Sequence, residues 1–444
     1  MKTLLFGVIS LASALGLPTV DAITLDAALA RTLENNPAIR EAKSTLEQAS
    51  GRRLVLRAGS LPDVGLITPG GVQGGHRAGE NKVQPFAFAQ GFFTQPLFNG
   101  AIPAAYRRGD VEVLIAQQRL NIATTEQLHT ARVAFYTAAF NRSMGDLAER
   151  QRQRLQGNAV AQADRYQAGR SDRSALTVAQ ALEQQLQPRV EEARRLHDTA
   201  LLKLAQTMGD DLGPGANLPS VDGELRFTNM PALDPDIEAR TAVAQRPDLK
   251  LARLLVRAAA EDQRIIEAAY YPMINATISG DYIPVSDIRR GSEGSARRSD
   301  DIISSEARFG AAYTWRVVDN GRTTGAVQRQ RAVRETNQLV LARLEAEVPR
   351  ELTRIQNNLR GLTARQASLA RASGAAEKTV ADVQNNLAEG LSSPLEYRTA
   401  ESSFLEAEAG LLSVAFEQNL ARAEWDRATG RYFQFPDGPN RNVQ

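Results

Sequence analysis

The chain has 444 residues, no cysteine, and 53 basic against 51 acidic residues, a formal net charge of +2. That length allows two or three domains or one elongated one. The missing cysteine excludes disulfides and thiolate chemistry, and the near balance of charge gives no field that would collect nucleic acid. Only six of the basic residues are lysine, a bias read as codon composition rather than function. His76, His129 and His197 stand far apart with no partner at ligand spacing, so no zinc site is expected, and no metal or cofactor.

The first 22 residues read as a secretory signal. Lys2 supplies the positive charge, Leu4 to Leu17 the apolar core, and Val20-Asp21-Ala22 a small-x-small cleavage site. No later apolar run approaches the roughly 18 residues of a membrane-spanning helix, and no lipidation cysteine follows the cleavage site. An exported chain of this kind is periplasmic, secreted or an outer-membrane barrel.

From there the chain is written twice. Pro37 opens a helical run that ends at Leu61-Pro62; Pro247 opens another that ends at Tyr271-Pro272, each landmark 210 residues on. Further along, Phe98-Asn99-Gly100 matches Asp319-Asn320-Gly321, Gly169 matches Gly390, and Gly209 matches Gly430, each 221 residues on. A period this long is a duplicated half rather than a solenoid repeat. The growth of the offset places an insertion in the polar segment Ser286 to Asp301. The expected division is a signal peptide at 1–22, a first repeat at 23–209, a connector at 210–240, a second repeat at 241–430 and a tail at 431–444. Each repeat should run short helix, strand, loop, strand, long helix, tip, long helix.

In the first repeat, Pro62 to Thr68 is a short strand. Gly70 to Gly79 is a loop whose GGVQGG lacks the strand-then-helix setting of a phosphate loop. Val83 to Leu97 is a second strand, with Pro85 and Pro96 near its ends. Pro103 to Gln167 has no internal proline and predicts a helix of roughly 95 Å at 1.5 Å per residue. A partner helix follows to Met208, with Pro188 as a candidate kink. The connector is rich in Pro, Gly and Asp, with a candidate short strand at Glu224 to Phe227.

The second repeat's strands are clearer. Tyr271 to Tyr282 alternates Ile274, Ala276, Ile278 and Tyr282 with Asn275, Thr277, Ser279 and Asp281. Glu306 to Val317 sets Phe309, Tyr313 and Trp315 opposite Arg308, Thr314 and Arg316. A period of two makes both strands with one apolar and one polar face. Two readings fit: a soluble antiparallel hairpin, or a transmembrane barrel with lipid outside and a wet lumen, for which roughly 9–11 residues per strand suffice. The helices at Arg322 to Ala388 and Ser393 to Thr429 carry narrow apolar stripes in a charged background, which suits antiparallel coiled-coil packing.

The segment Ile23-Thr24-Leu25-Asp26-Ala27-Ala28-Leu29, then Asn35-Asn36-Pro37, Arg246-Pro247-Asp248-Leu249, Tyr271-Pro272, the Asn-Gly pairs and the two glycine-centred tips resemble the TolC-like outer-membrane efflux protein family. The resemblance runs from Ile23 to about Tyr432 and rests on duplicated order rather than on one motif. It implies a mainly α chain with four strands that it adds to a trimeric barrel, its helices forming a periplasmic tunnel. It implies a homotrimer in outer-membrane lipid, with a periplasmic adaptor and an inner-membrane pump as partners. The physics agrees on the oligomer: four strands cannot close a membrane barrel, and open edges in lipid leave backbone groups unpaired.

No nucleophile elbow or paired-carboxylate motif appears, so an enzyme is not expected. The resemblance places adaptor contacts at Ala168, Gly169, Arg170 and Ser171 and at Glu389, Gly390, Leu391 and Ser392. It places a periplasmic gate carboxylate at Glu396, where three copies would form a cation-favouring ring. The acid expected three residues later is Thr399 here, and the first-repeat counterpart is Ala175. The expected function is the exit duct of a tripartite efflux pump for small molecules. Type I protein secretion remains an alternative on the same fold, and a periplasmic coiled-coil adaptor or scaffold one of another class.

Overall fold

In the computed structural model the described residues are 23–77, 80–210, 218–223, 225, 227, 235–282 and 305–431. The signal segment, the polar insert Ser286 to Asp301, Glu224 of the connector strand and the tail beyond 431 lie outside them. The elements are α1 (Leu25–Asn35), α2 (Pro37–Ala58), β1 (Asp63–Ile67), β2 (Gly70–Arg77), β3 (Glu80–Ala87), β4 (Ala89–Phe98), α3 (Ile102–Gln167) and α4 (Arg173–Met208). The second repeat gives α5 (Pro235–Gln245), α6 (Pro247–Glu267), β5 (Met273–Tyr282), β6 (Ser305–Thr314), α7 (Arg322–Glu389) and α8 (Pro394–Thr429). Element by element among the described residues, the second set follows the order of the first, β5 and β6 standing where β1 and β4 stand. No helix among the described residues is long and apolar enough to cross a membrane.

The chain divides into two compact bodies. One holds residues up to Arg40, Ala123–Val243 and Val348 onward. Here Thr24 caps α1 by accepting from the Ala27 amide at 3.3 Å. Asn36 then starts α2: its Oδ1 accepts from the amides of Ala38 (2.9 Å) and Ile39 (3.2 Å), while its Nδ2 donates to the Thr207 carbonyl at 2.7 Å. Pro37 follows at the first helical position, where a missing N–H costs nothing. Gly209 ends α4 at φ 79°, and a Cβ there would strike the Asn35 carbonyl. The ends of α1 and α4 are thereby knotted together. The connector joins in through a parallel bridge between Ile23 and Val221, and Arg142 donates to the Val221 carbonyl at 2.8 Å.

Burial in this body comes in small clusters. Ile23, Phe135, Leu204 and Met208 form one; Leu362, Val414 and Ala421 another; Val380, Leu387 and Tyr397 a third, near the tip. Narrow apolar stripes on long helices give this result, since each stripe covers only the neighbour it faces. α4 continues through Pro188 without a break.

The other body holds Glu41–Ile122 and Ala244–Glu347. Its sheet has the order β1-β4-β5-β6, all antiparallel. Beneath it α2, the start of α3 and α6 are laced by Arg107–Glu261 at 3.0 Å, Arg108–Asp262 at 2.9 Å and Arg57–Asp110 at 2.9 Å, around Val111, Ile115 and Ala258. Part-exposed pairs contribute at most about 1 kcal/mol each, so the apolar cluster holds the helices and the charges fix their rotation.

Two expectations are corrected. Gly70 to Gly79 is not a loop: its residues through Arg77 form β2, paired to β3 from Gly70↔Ala87 to Arg77↔Glu80. Val83 to Leu97 is not one strand but parts of β3 and β4, with Phe88 between them. The described residues therefore hold six strands, four of them in the main sheet. Glycines carry no side-chain alternation, so a ladder made by backbone pairing alone leaves no periodic trace.

Candidate functional site

Directly opposed residues of an antiparallel ladder share a face, so the register assigns every strand position. One face carries Asp63, Gln90, Thr94, Thr277, Asp281, Glu306 and Arg308. On it Arg308 bonds Glu306 at 2.7 Å and Asp281 at 3.4 Å. The other face carries Val64, Leu66, Phe93, Ile274, Ile278, Phe309 and Tyr313. Phe309 is 76% exposed and Tyr313 61%. Trp315 follows the strand and donates its indole N–H to the Tyr270 carbonyl at 3.1 Å. Among the described residues the order leaves β1 and β6 each with one open edge. A sheet with one apolar exposed face, one charged face and two unpaired edges is an unfinished wall.

The helical tips are built alike. α3 ends at Gly169 (φ 70°), with the Arg170 amide donating to the Arg165 carbonyl at 2.8 Å. α7 ends at Gly390 (φ 81°), with the Leu391 amide donating to the Asn386 carbonyl at 2.7 Å. Both are left-handed glycine caps that close orphan carbonyls, which a side chain at φ > 0 would strain. The next helices begin differently. Asp172 caps α4, its Oδ1 accepting from the Ala175 amide at 2.7 Å. Ser393 caps α8 in a reciprocal box: its Oγ accepts from the Glu396 amide at 3.2 Å, and Glu396 Oε2 accepts from the Ser393 amide at 2.9 Å.

Of the eight sequence-predicted tip residues, Ala168 to Ser171 and Gly390 to Ser392 fall in these two turns, and Glu389 is the last residue of α7. Leu391 (75% exposed) and Leu395 are bare apolar groups on the second tip. Glu396 sits at the third position of α8 and is exposed. Beside it a groove of about 530 Å³ runs between α7 and α8, lined by Thr379, Val383, Leu395 and Thr399 among others. Glu396, expected as a gate charge, also closes the capping box, which the Ser-x-x-Glu spacing of Ser393 and Glu396 signals.

Residues 28–210 match the family model described as "Outer membrane efflux protein". That stretch is similar to the outer membrane efflux proteins. Solved structures extend the likeness in fold over the second repeat. A crystal structure of CusC matches at TM-score 0.78 and 16% identity, over 91% of this chain and 92% of that one. VceC from Vibrio cholerae matches at 0.75 and 17%, covering 91% and 96%. The open-state MtrE channel of Neisseria gonorrhoeae matches at 0.75 and 17%, covering 91% and 88%. No curated protein sequence matches the chain.

Two charged pairs at the helical seams lie outside what the sequence signals. Glu401 on α8 is 2% exposed, and Arg154 Nε on α3 lies 3.4 Å from its Oε1. Burial pushes its carboxyl above the usual range against the pull of Arg154, whose guanidinium also lies over the Phe404 ring at 5.3 Å. Further along the same helices, Arg132 bonds Asp426 at 2.9 Å. Burial raises the Asp426 carboxyl as well, with Arg132 opposing. Neither pair has a sequence signature, because its partners are over 240 residues apart. Among the described residues no cluster could hold a metal ion.

Proposed function

We propose that the chain is one of three that together make an outer-membrane exit duct, the outer component of a tripartite efflux pump. The unfinished wall carries the reading. Three copies would pair each open β1 edge with a neighbour's β6 edge and give a twelve-stranded closed barrel, with every backbone group paired. The Phe309 and Tyr313 face would then meet lipid and the Arg308 and Asp281 face the lumen. The long helices would continue the duct into the periplasm. The two tips, with Leu391 exposed, are the proposed contacts of a periplasmic adaptor that links to an inner-membrane pump. Glu396 is the proposed carboxylate of the periplasmic mouth.

The test is assembly and orientation together. Native mass measurement of the detergent-extracted outer-membrane fraction should give three chains; a stable monomer with full β content would overturn the reading. Ile278→Arg should destabilise the trimer by about 2–4 kcal/mol if it lies near mid-membrane, while Thr277→Arg on the polar face should be milder and alter conductance. Equal losses from the two would show that neither face meets lipid.

A further inference from the structure

The polar sheet face carries a single aromatic side chain among the described strand residues, Phe92 of β4. It is flanked along the strand by Gln90 and Thr94 and faces Gly65 on β1 and Ser279 on β5. In a strand, side chains stand roughly perpendicular to the sheet, as Phe309 and Tyr313 do on the opposite face, where they are largely exposed. Phe92 is partly buried. Its ring lies across the strand pair onto Gly65. A Cβ built at Gly65 would fall among the ring atoms, against Cζ and Cε1 and 2.9 Å from Cε2. Glycine in a strand interior weakens the strand, and an aromatic laid over it restores contact. Here the pairing also decides how far the ring stands off the wall.

We propose that Gly65 sets the bore of the barrel section of the duct. It is the recess that lets Phe92 lie flat, so a side chain at position 65 swings the ring into the lumen. This rests on the polar face being the lumen wall. In a trimer the three rings sit at one height, so a change at one residue type narrows the passage from three sides and places an apolar collar in a polar channel. The three atoms nearest a Cβ at position 65 all belong to the Phe92 ring, and the ladder pairs Asp63 to Ile67 with Thr94 to Gln90 without a bulge.

The experiment is single-channel conductance of the purified trimer in planar bilayers. Wild type must first conduct; a trimer that never conducts removes the duct reading itself rather than the role of Gly65. Gly65→Val should lower conductance by roughly a third, since conduction follows pore diameter. Gly65→Val with Phe92→Ala should return it to at least the wild-type level. Phe92→Ala alone should leave conductance close to wild type, because a flat ring blocks little. A Gly65→Val channel that conducts like wild type, or a double variant as narrow as Gly65→Val, would overturn the proposal. Where Gly65→Val does not assemble, Phe92→Ala decides alone: no change supports the flat ring, and a clear rise shows that the ring already projects.

Discussion

The two repeats have one layout and two chemistries. In the first, the junction before α2 is a buried asparagine that caps one helix, closes another and reaches across to the end of α4. In the second, the same junction is Arg246, which makes no cap bond to α6 and instead pairs with Asp248 at 2.9 Å. At the tips the glycine caps match, but the helix starts are an aspartate in one copy and a serine–glutamate box in the other. The two halves share what the backbone requires, the left-handed glycines and the proline starts of α2 and α6. They differ in their side-chain solutions, because several polar groups can satisfy the same orphan amides.

The strongest test of that contrast is at the junctions. Asn36→Ala removes a helix cap and strands the buried Thr207 carbonyl, for a loss of about 2–3 kcal/mol. Arg246→Ala, which takes no cap with it, should lower the thermal midpoint of the detergent-solubilised protein less. Equal shifts would mean that the junctions carry the same load despite different chemistry.

A smaller effect is expected at the tips. Ser393→Ala should cost about 1 kcal/mol and raise hydrogen exchange at the Glu396 amide. The first tip should differ in its response to acid. Bonds from the Ala175 amide and the Ser174 hydroxyl hold the Asp172 carboxyl below the ordinary value. Its contribution is therefore complete above the ordinary carboxylate pKa and disappears as pH falls through the lowered one. The Ser393 hydroxyl does not titrate. Protection of the Ala175 amide should fade in acid before that of Glu396; simultaneous loss would remove the distinction. The smallest change in stability should come from Glu396→Gln, because glutamine serves the capping box as well as glutamate. Its readout is selectivity: a trimer with three fewer carboxylates at the mouth should prefer cations less, and unchanged selectivity would show that Glu396 does not face the lumen.

Much of the scaffold was legible in the sequence for a physical reason. Helix ends announce themselves locally, so Pro37 and Pro247 marked the starts of α2 and α6, and Gly169 and Gly390 the ends of α3 and α7, to within a residue or two; the ends of α2 and α6 fall three or four residues before the expected Leu61 and Tyr271. The faces of β5 and β6 were legible because both alternate. What could not be read depends on distance or on silence. The Asn36–Thr207 bond spans 171 residues, and Gly65 meets Phe92 only once a register exists. β2 was hidden by its glycines, and the capping role of Glu396 was obscured by attention to its charge.

The strand order carries a consequence for synthesis. β4 lies between β1 and β5, yet β5 begins 175 residues after β4 ends (273 − 98). At roughly 5–20 residues per second, about 9–35 s pass between the emergence of the two strands. During that interval β4 has only β1 beside it, over five positions, and a lone two-stranded ladder is marginal in water. The first repeat's helices can close on local contacts at once, while its strands must wait. The apolar side of the waiting pair, with Val64, Leu66 and Phe93, is then open to any other extended segment nearby. A folding catalyst or holdase that acts on this chain has its window there, between the birth of the first repeat and the arrival of Met273.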